Sequence, residues 1–120
     1  MSKAPQVGVV PPVRVLSNEP HEVTLELTLN KDLPAFSGHF PALPVLPGVV
    51  QLHWAAVLSG QFFATTGHAQ NVDALKFQNV ISPPCRLRLV LKRLEAHKVA
   101  FHYLMDDAQA SSGRITFVGK

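Results

Sequence analysis

Apolar and polar residues alternate along four stretches of this chain, and one other stretch carries apolar residues at helical spacing. Between Glu22 and Asn30, Val23, Leu25, Leu27 and Leu29 face one way and Glu22, Thr24, Glu26 and Thr28 the other, the pattern of a half-buried antiparallel strand. Val72 to Ile81 alternates around Leu75 and Phe77, and the Ser82-Pro83-Pro84 run forces a turn after it. Leu87, Leu89 and Leu91 alternate with Arg86, Arg88 and Lys92. After a tight turn at Glu95-Ala96, Val99, Phe101, Tyr103 and Met105 do the same, so the two segments predict a long hairpin. Val13 to Leu16 is a candidate short strand. The turn-prone stretch from Asp106 to Gly113 precedes a last strand over Arg114 to Val118, with Ile115 and Phe117 on one face. From Pro47 onward, Val49, Val50, Leu52, Ala55, Ala56, Val57, Leu58, Phe62 and Phe63 recur at helical spacing with almost no charged face. That pattern predicts a helix buried on most sides, running to about Thr65 or Thr66 and stopped by Gly67.

The order is two strands, a loop, one long apolar helix, then about four strands. Amphipathic strands need an apolar cover, and the lone helix supplies it. The class is α+β: a curved antiparallel sheet wrapped around one long central helix, with an ordinary α+β sandwich as the competing arrangement. The 120 residues suffice for a single domain over 1–120, with 1–12 as a proline-broken leader. A sheet this small leaves an exposed edge, which pairing with a second copy would satisfy.

Composition narrows the setting. With 47% hydrophobic and 16% charged residues the chain is globular, and no apolar run reaches the roughly 18 residues of a membrane helix. No signal peptide is recognisable at the start, which implies a cytoplasmic location. The net charge of +3 is not gathered into a basic run, so nucleic acid is not an expected partner. The lone Cys85 reads as a small buried hydrophobe. The remaining histidines, His21, His68, His97 and His102, lack metal-ligand spacing, so no metal site is expected.

The chemistry concentrates in Ser37 to Trp54, SGHFPALPVLPGVVQLHW. Pro34, Pro41, Pro44 and Pro47 stiffen the loop around His39, and the Pro47-Gly48 step launches the helix. An imidazole titrates near neutral pH and can take a proton from carbon next to a carbonyl. A first helical turn offers free N–H groups, backed by the positive end of the dipole, to a developing oxyanion. Gly48 has no side chain to block that approach. Within the apolar helix, His53 is either a satisfied core residue or a functional one.

The run from Gly38 to Gln51 resembles the active-site motif of the β-hydroxyacyl-acyl-carrier-protein dehydratases, which have the hot-dog fold. His39, Phe40, Pro41, Pro44, Pro47 and Gly48 stand at matching positions. Lys76 to Pro84 is similar to that family's strand after the helix, and His53 to Ala56 looks most like its aryl-polyene-type branch. The resemblance implies that His39 acts on the Cα proton and the β-hydroxyl of a 3-hydroxyacyl thioester, and that the Gly48 N–H holds the thioester carbonyl. The family's acidic residue, contributed by the partner subunit's helix, is replaced here by His53. A carboxylate accepts a proton and anchors the leaving water, whereas a neutral imidazole does one or the other and an imidazolium only donates.

Several expectations follow. His39, Gly48 and His53, the last as a protonated donor to the departing hydroxyl, form the catalytic set. Phe40, Pro47, Val49 and Trp54 contact substrate, although Trp54 also suits plain core packing. Arg86, Arg88 and Lys92 dock an acidic acyl carrier protein, against the simpler reading of a solvated strand face. No cofactor is needed beyond the phosphopantetheine arm that carries the substrate. The partner chain is a second copy or another hot-dog protein. The competing functions are a hot-dog acyl thioesterase and a non-catalytic acyl-carrier-binding subunit.

Overall fold

The computed structural model describes residues 10–30, 45–63, 68–82 and 85–118. The expected loop histidine His39, its neighbour Phe40 and the helix stop at Gly67 lie outside those residues. The elements are β1 (Val13–Glu19), β2 (Glu22–Leu29), α1 (Gly48–Phe63), β3 (Ala69–Phe77), β4 (Cys85–Glu95), β5 (Lys98–Met105) and β6 (Ala108–Phe117). They form one antiparallel sheet in the order β1-β2-β4-β5-β6-β3, with β1 and β3 as its edges. The helix joins β2 to β3, which are four places apart in the sheet.

Alternation decides which face the helix covers. Val23, Leu25, Leu27 and Leu29 of β2, Leu87, Leu89 and Leu91 of β4, and Val99, Phe101 and Tyr103 of β5 are all buried, as their period of two predicts. Cross-strand register lines them into rows. Leu25 faces Leu89, Leu89 faces Tyr103, Tyr103 faces Ser111 and Ser111 faces Phe77. Val50, Gln51, Trp54, Ala55, Leu58, Ser59 and Phe63 of α1 are buried.

Four expectations change. The helix is buried along one stripe and not on most sides, because a single sheet meets a single helical face; Val49, Leu52, Ala56 and Val57 keep exposed or half-exposed surface. The last strand begins at Ala108, and only Asp106 and Asp107 form the turn, both with positive φ of 51° and 68°. Positive φ at both central residues is what a type I′ two-residue hairpin requires. Ser111, Ser112 and Gly113, which look like turn residues, are instead buried strand. Their small size has a use: a Cβ on Gly113 would lie 2.8 Å from Phe101 Cε2, so only glycine admits the ring. The β4–β5 turn falls at Ala96-His97, one residue later than expected, with Glu95 paired to Lys98. Finally, Val10 to Pro12 are not a loose leader, since the Pro12 carbonyl accepts the Thr28 N–H at 3.1 Å and Pro11 is buried.

The edge strand β3 is irregular. Its pairing with β6 shifts register between Ala69 and Asn71 and again between Asp73 and Lys76. Within the second shift Ala74 takes a φ of 55°, a left-handed conformation that disfavours a side chain. Asp73 accepts from Arg114 Nε at 3.0 Å beside this bulge. Both partners are half-exposed, so this ion pair sets local geometry more than stability.

Candidate active site

The helix begins under tight control. The Leu46 N–H donates to the Ile81 carbonyl at 2.8 Å, holding the approach to α1 beside the segment that leaves β3. The Pro47 carbonyl then accepts from both the Val50 and Gln51 N–H groups at 3.1 Å, closing the first turn. Proline lacks the N–H that would be wasted there, and its fixed φ suits the position. The N–H groups of Gly48 and Val49 make no backbone hydrogen bond among the described residues. Neither group has an intrahelical acceptor, as at every helix start.

A cleft of about 300 Å³ opens at this point. Val45, Leu46, Gly48 and Gln51 form one wall, and Phe77 to Ile81 the other. Its body is apolar, and the amides of Gln51, Gln78 and Asn79 punctuate it. Phe77 explains the glycine: a Cβ on Gly48 would sit 2.8 Å from Phe77 Cζ, so the ring lies directly over the start of the helix. That ring is 52% exposed, and nearby Val49 and Val80 are 67% and 61% exposed. Phe77 and Val80 therefore give the cleft an exposed apolar margin next to β3, an edge strand among the described residues.

Gln51 is the residue that sequence reasoning passed over. It is buried, its Nε2 donates to the Leu46 carbonyl at 3.1 Å, and its Oε1 accepts from Ser111 Oγ at 2.6 Å. Its backbone carbonyl accepts from the Tyr103 hydroxyl at 2.7 Å. Burial pushes the Tyr103 phenol far above its ordinary range, which keeps it a neutral donor. The signal in the sequence was a lone amide in an otherwise apolar run, Val49-Val50-Gln51-Leu52, where burial demands hydrogen-bond partners.

The other predicted residues fall in three places. Pro47 and Gly48 meet at the cleft. His53 does not join them: five residues beyond Gly48 places it roughly 140° around the helix axis, and it is half-buried on the face that also carries Val49, Ala56 and Gly60. The Val49 side chain is largely exposed on that same face. Trp54 is fully enclosed in the core. Arg86, Arg88 and Lys92 are exposed on the outer face of β4. There the register sets Glu26 against Arg88 and Glu22 against Lys92, and Arg88 also lies 3.7 Å from Asp107. The patch is thus mixed in sign. Cys85 is half-buried, and burial followed by the nearby Asp106 charge raises its thiol pKa, the opposite of what a nucleophile needs. Among the described residues no three histidine, cysteine, aspartate or glutamate side chains converge as metal ligands, and no helix is long and apolar enough to cross a membrane.

A family model described as ApeI-like, ApeI dehydratase, matches residues 15–114. The chain belongs to the ApeI-like dehydratase family. Among curated relatives, the 3-hydroxyacyl-[acyl-carrier-protein] dehydratase FabZ of Coxiella burnetii is 33% identical over 82 residues, covering 60% of this chain and 56% of that protein. FabZ of Lactobacillus helveticus is 28% identical over 106 residues, covering 79% and 70%. The chain therefore spans little more than half the length of the first of these. Among solved structures, the dehydratase heterocomplex ApeI:P from Xenorhabdus doucetiae superposes with a TM-score of 0.81 at 30% identity, covering 90% of this chain and 97% of that one. A mouse thioesterase superfamily member 2 superposes at 0.71 with 11% identity, covering 88% and 80%, a likeness of fold alone. This ApeI-like chain thus has the hot-dog fold that its element order implied.

Proposed function

We propose that this ApeI-like protein dehydrates a 3-hydroxyacyl thioester, carried on acyl carrier protein, to the 2-enoyl thioester, as part of fatty-acid or polyene-type lipid synthesis in the cytoplasm. The observation that carries this reading is the cleft lined by Gly48, whose first-turn N–H has no intrahelical acceptor. A thioester carbonyl seated there meets a donor preorganised by the helix, where enolate charge develops. His39, two residues before the stiffening Pro41, takes the Cα proton. The Cα electrons form the new double bond, the Cβ–O bond breaks, and the departing hydroxide leaves as water with a proton from His53.

Because Gly48 and His53 of one helix point in different directions, the second imidazole is assigned to a partner chain. The exposed Val49, Phe77 and Val80, and the place of β3 at the sheet edge among the described residues, support such pairing. A second copy is the simplest occupant. The heterocomplex formed by the Xenorhabdus relative favours another reading, in which a different hot-dog protein supplies it.

Mass spectrometry of purified protein incubated with 3-hydroxyacyl-carrier substrates tests the reaction. A product lighter by one water supports elimination, whereas free carrier thiol indicates a thioesterase. Binding with neither product indicates a non-catalytic subunit. On the outer sheet face, Arg86, Arg88 and Lys92 steer the carrier, more by rate of encounter than by tight contact. Reversing Arg86 and Arg88 to glutamate should raise KM for carrier-bound substrate several-fold and spare a short pantetheine thioester. Equal changes on both substrates would remove the docking role.

A further inference from the structure

We propose that Gln51 is a positioning residue that fixes the Gly48 N–H at the depth and angle where an acyl thioester carbonyl can meet it; this deepens the dehydratase reading and rests on it. One cross-sheet row, Tyr103–Ser111–Phe77, converges on the first turn of α1. Tyr103 holds the Gln51 carbonyl at 2.7 Å, Ser111 holds the Gln51 side-chain oxygen at 2.6 Å, and Phe77 lies over Gly48 itself. The remaining arm of the Gln51 amide grips the Leu46 carbonyl at 3.1 Å, two residues before Gly48. Gly48 is therefore bracketed. The chain on its entry side is tied to β6 through the Gln51 side chain, and the helix on its exit side to β5 through the Gln51 backbone carbonyl.

Nothing in packing requires an amide at this place. A methionine would fill similar volume, yet it would release the Leu46 carbonyl and the Ser111 hydroxyl from their partner. Helix starts in a purely apolar seat are free to slide or rock by fractions of an ångström, and such displacements matter to an oxyanion donor. Loss of one such donor costs roughly 10²–10³ in rate, and a misplacement of about 1 Å can approach that. The amide also belongs to the cleft wall, with its Oε1 and one Nε2 N–H already engaged by Ser111 and the Leu46 carbonyl.

Two readouts separate this role from plain stability. The first uses nitrogen-15-labelled protein titrated with butyryl-pantetheine, which lacks the 3-hydroxyl and cannot eliminate water. The Gly48 amide resonance should move on binding in the wild type. In Gln51→Met its movement should shrink at least threefold while the Val80 amide still responds. The second is turnover of 3-hydroxybutyryl-pantetheine well below the melting temperature. There Gln51→Met should lose about tenfold in kcat with KM within twofold. A Gly48 response and kcat both within twofold of wild type would overturn the proposal. If Gln51→Met does not fold, Ser111→Ala decides, since it removes one of the bonds and keeps the amide. It should lower kcat about threefold and weaken the Gly48 response, and unchanged values overturn the proposal equally. Wild-type protein that yields no enoyl product defeats the dehydratase reading alone, because the butyryl-pantetheine titration still reports on Gly48.

Discussion

Replacing His39 by alanine should lower enoyl-thioester formation by roughly 10²–10⁴-fold, the usual contribution of a positioned acid–base group. On the proposed mechanism KM should change little, because binding is assigned to the Gly48 N–H and the apolar cleft and not to the imidazole. The loss should therefore appear in kcat. A His39→Ala protein with wild-type kcat would show that another group removes the Cα proton. His39→Gln, which preserves hydrogen bonding without basicity, should fall as far as alanine if proton removal is the role.

The largest effect on stability is expected at Gly113. A methyl group there would stand 2.8 Å and 3.0 Å from Phe101 Cε2 and Cζ, and 3.2 Å from Leu75 Cδ1. Phe101 is fully buried and packs edge-on against Tyr103 with ring centroids 5.8 Å apart, so it has no open space into which to turn. Overpacking of this kind costs typically about 1–3 kcal/mol. Gly113→Ala should lower the urea midpoint accordingly, with the slope of the transition unchanged. Adding Phe101→Leu should recover part of that loss, giving a cycle in which the two changes are less harmful together than summed. The contrast with Gly48 is instructive. There the obstructing atom is the tip of a half-exposed Phe77 ring, which can swing outward.

The sheet was legible because its strands are amphipathic: a leucine or valine at every second position of β2 and β4 leaves one register that hides them all. The helix was legible from its spacing and from Pro47. Less legible was β6, where Ser111-Ser112-Gly113 has turn composition but is buried strand. Residues that small are needed where the Phe101 ring and the helix press on β6, and composition alone does not distinguish close packing from a turn. The bulge at Ala74 had no signal, since alanine is an ordinary strand residue and its positive φ comes from the pairing of β3 with β6. Of the candidate site, Pro47 and Gly48 were marked by their own unusual chemistry. Gln51 stands out in the sequence only as a lone amide in an apolar run, and the partners that give it importance, Tyr103 and Ser111, lie 52 and 60 residues away.

The proposed active site is shared between chains, with His39 and Gly48 from one and His53 from the other. Purified His39→Ala and His53→Ala proteins, each inactive alone, should regain activity when mixed under conditions that allow subunit exchange. Random reassortment of a symmetric dimer would restore about a quarter of wild-type turnover, since half the dimers would hold one intact site of two. Mixtures that stay as inactive as their components, or a His53→Ala protein that is fully active by itself, would contradict it.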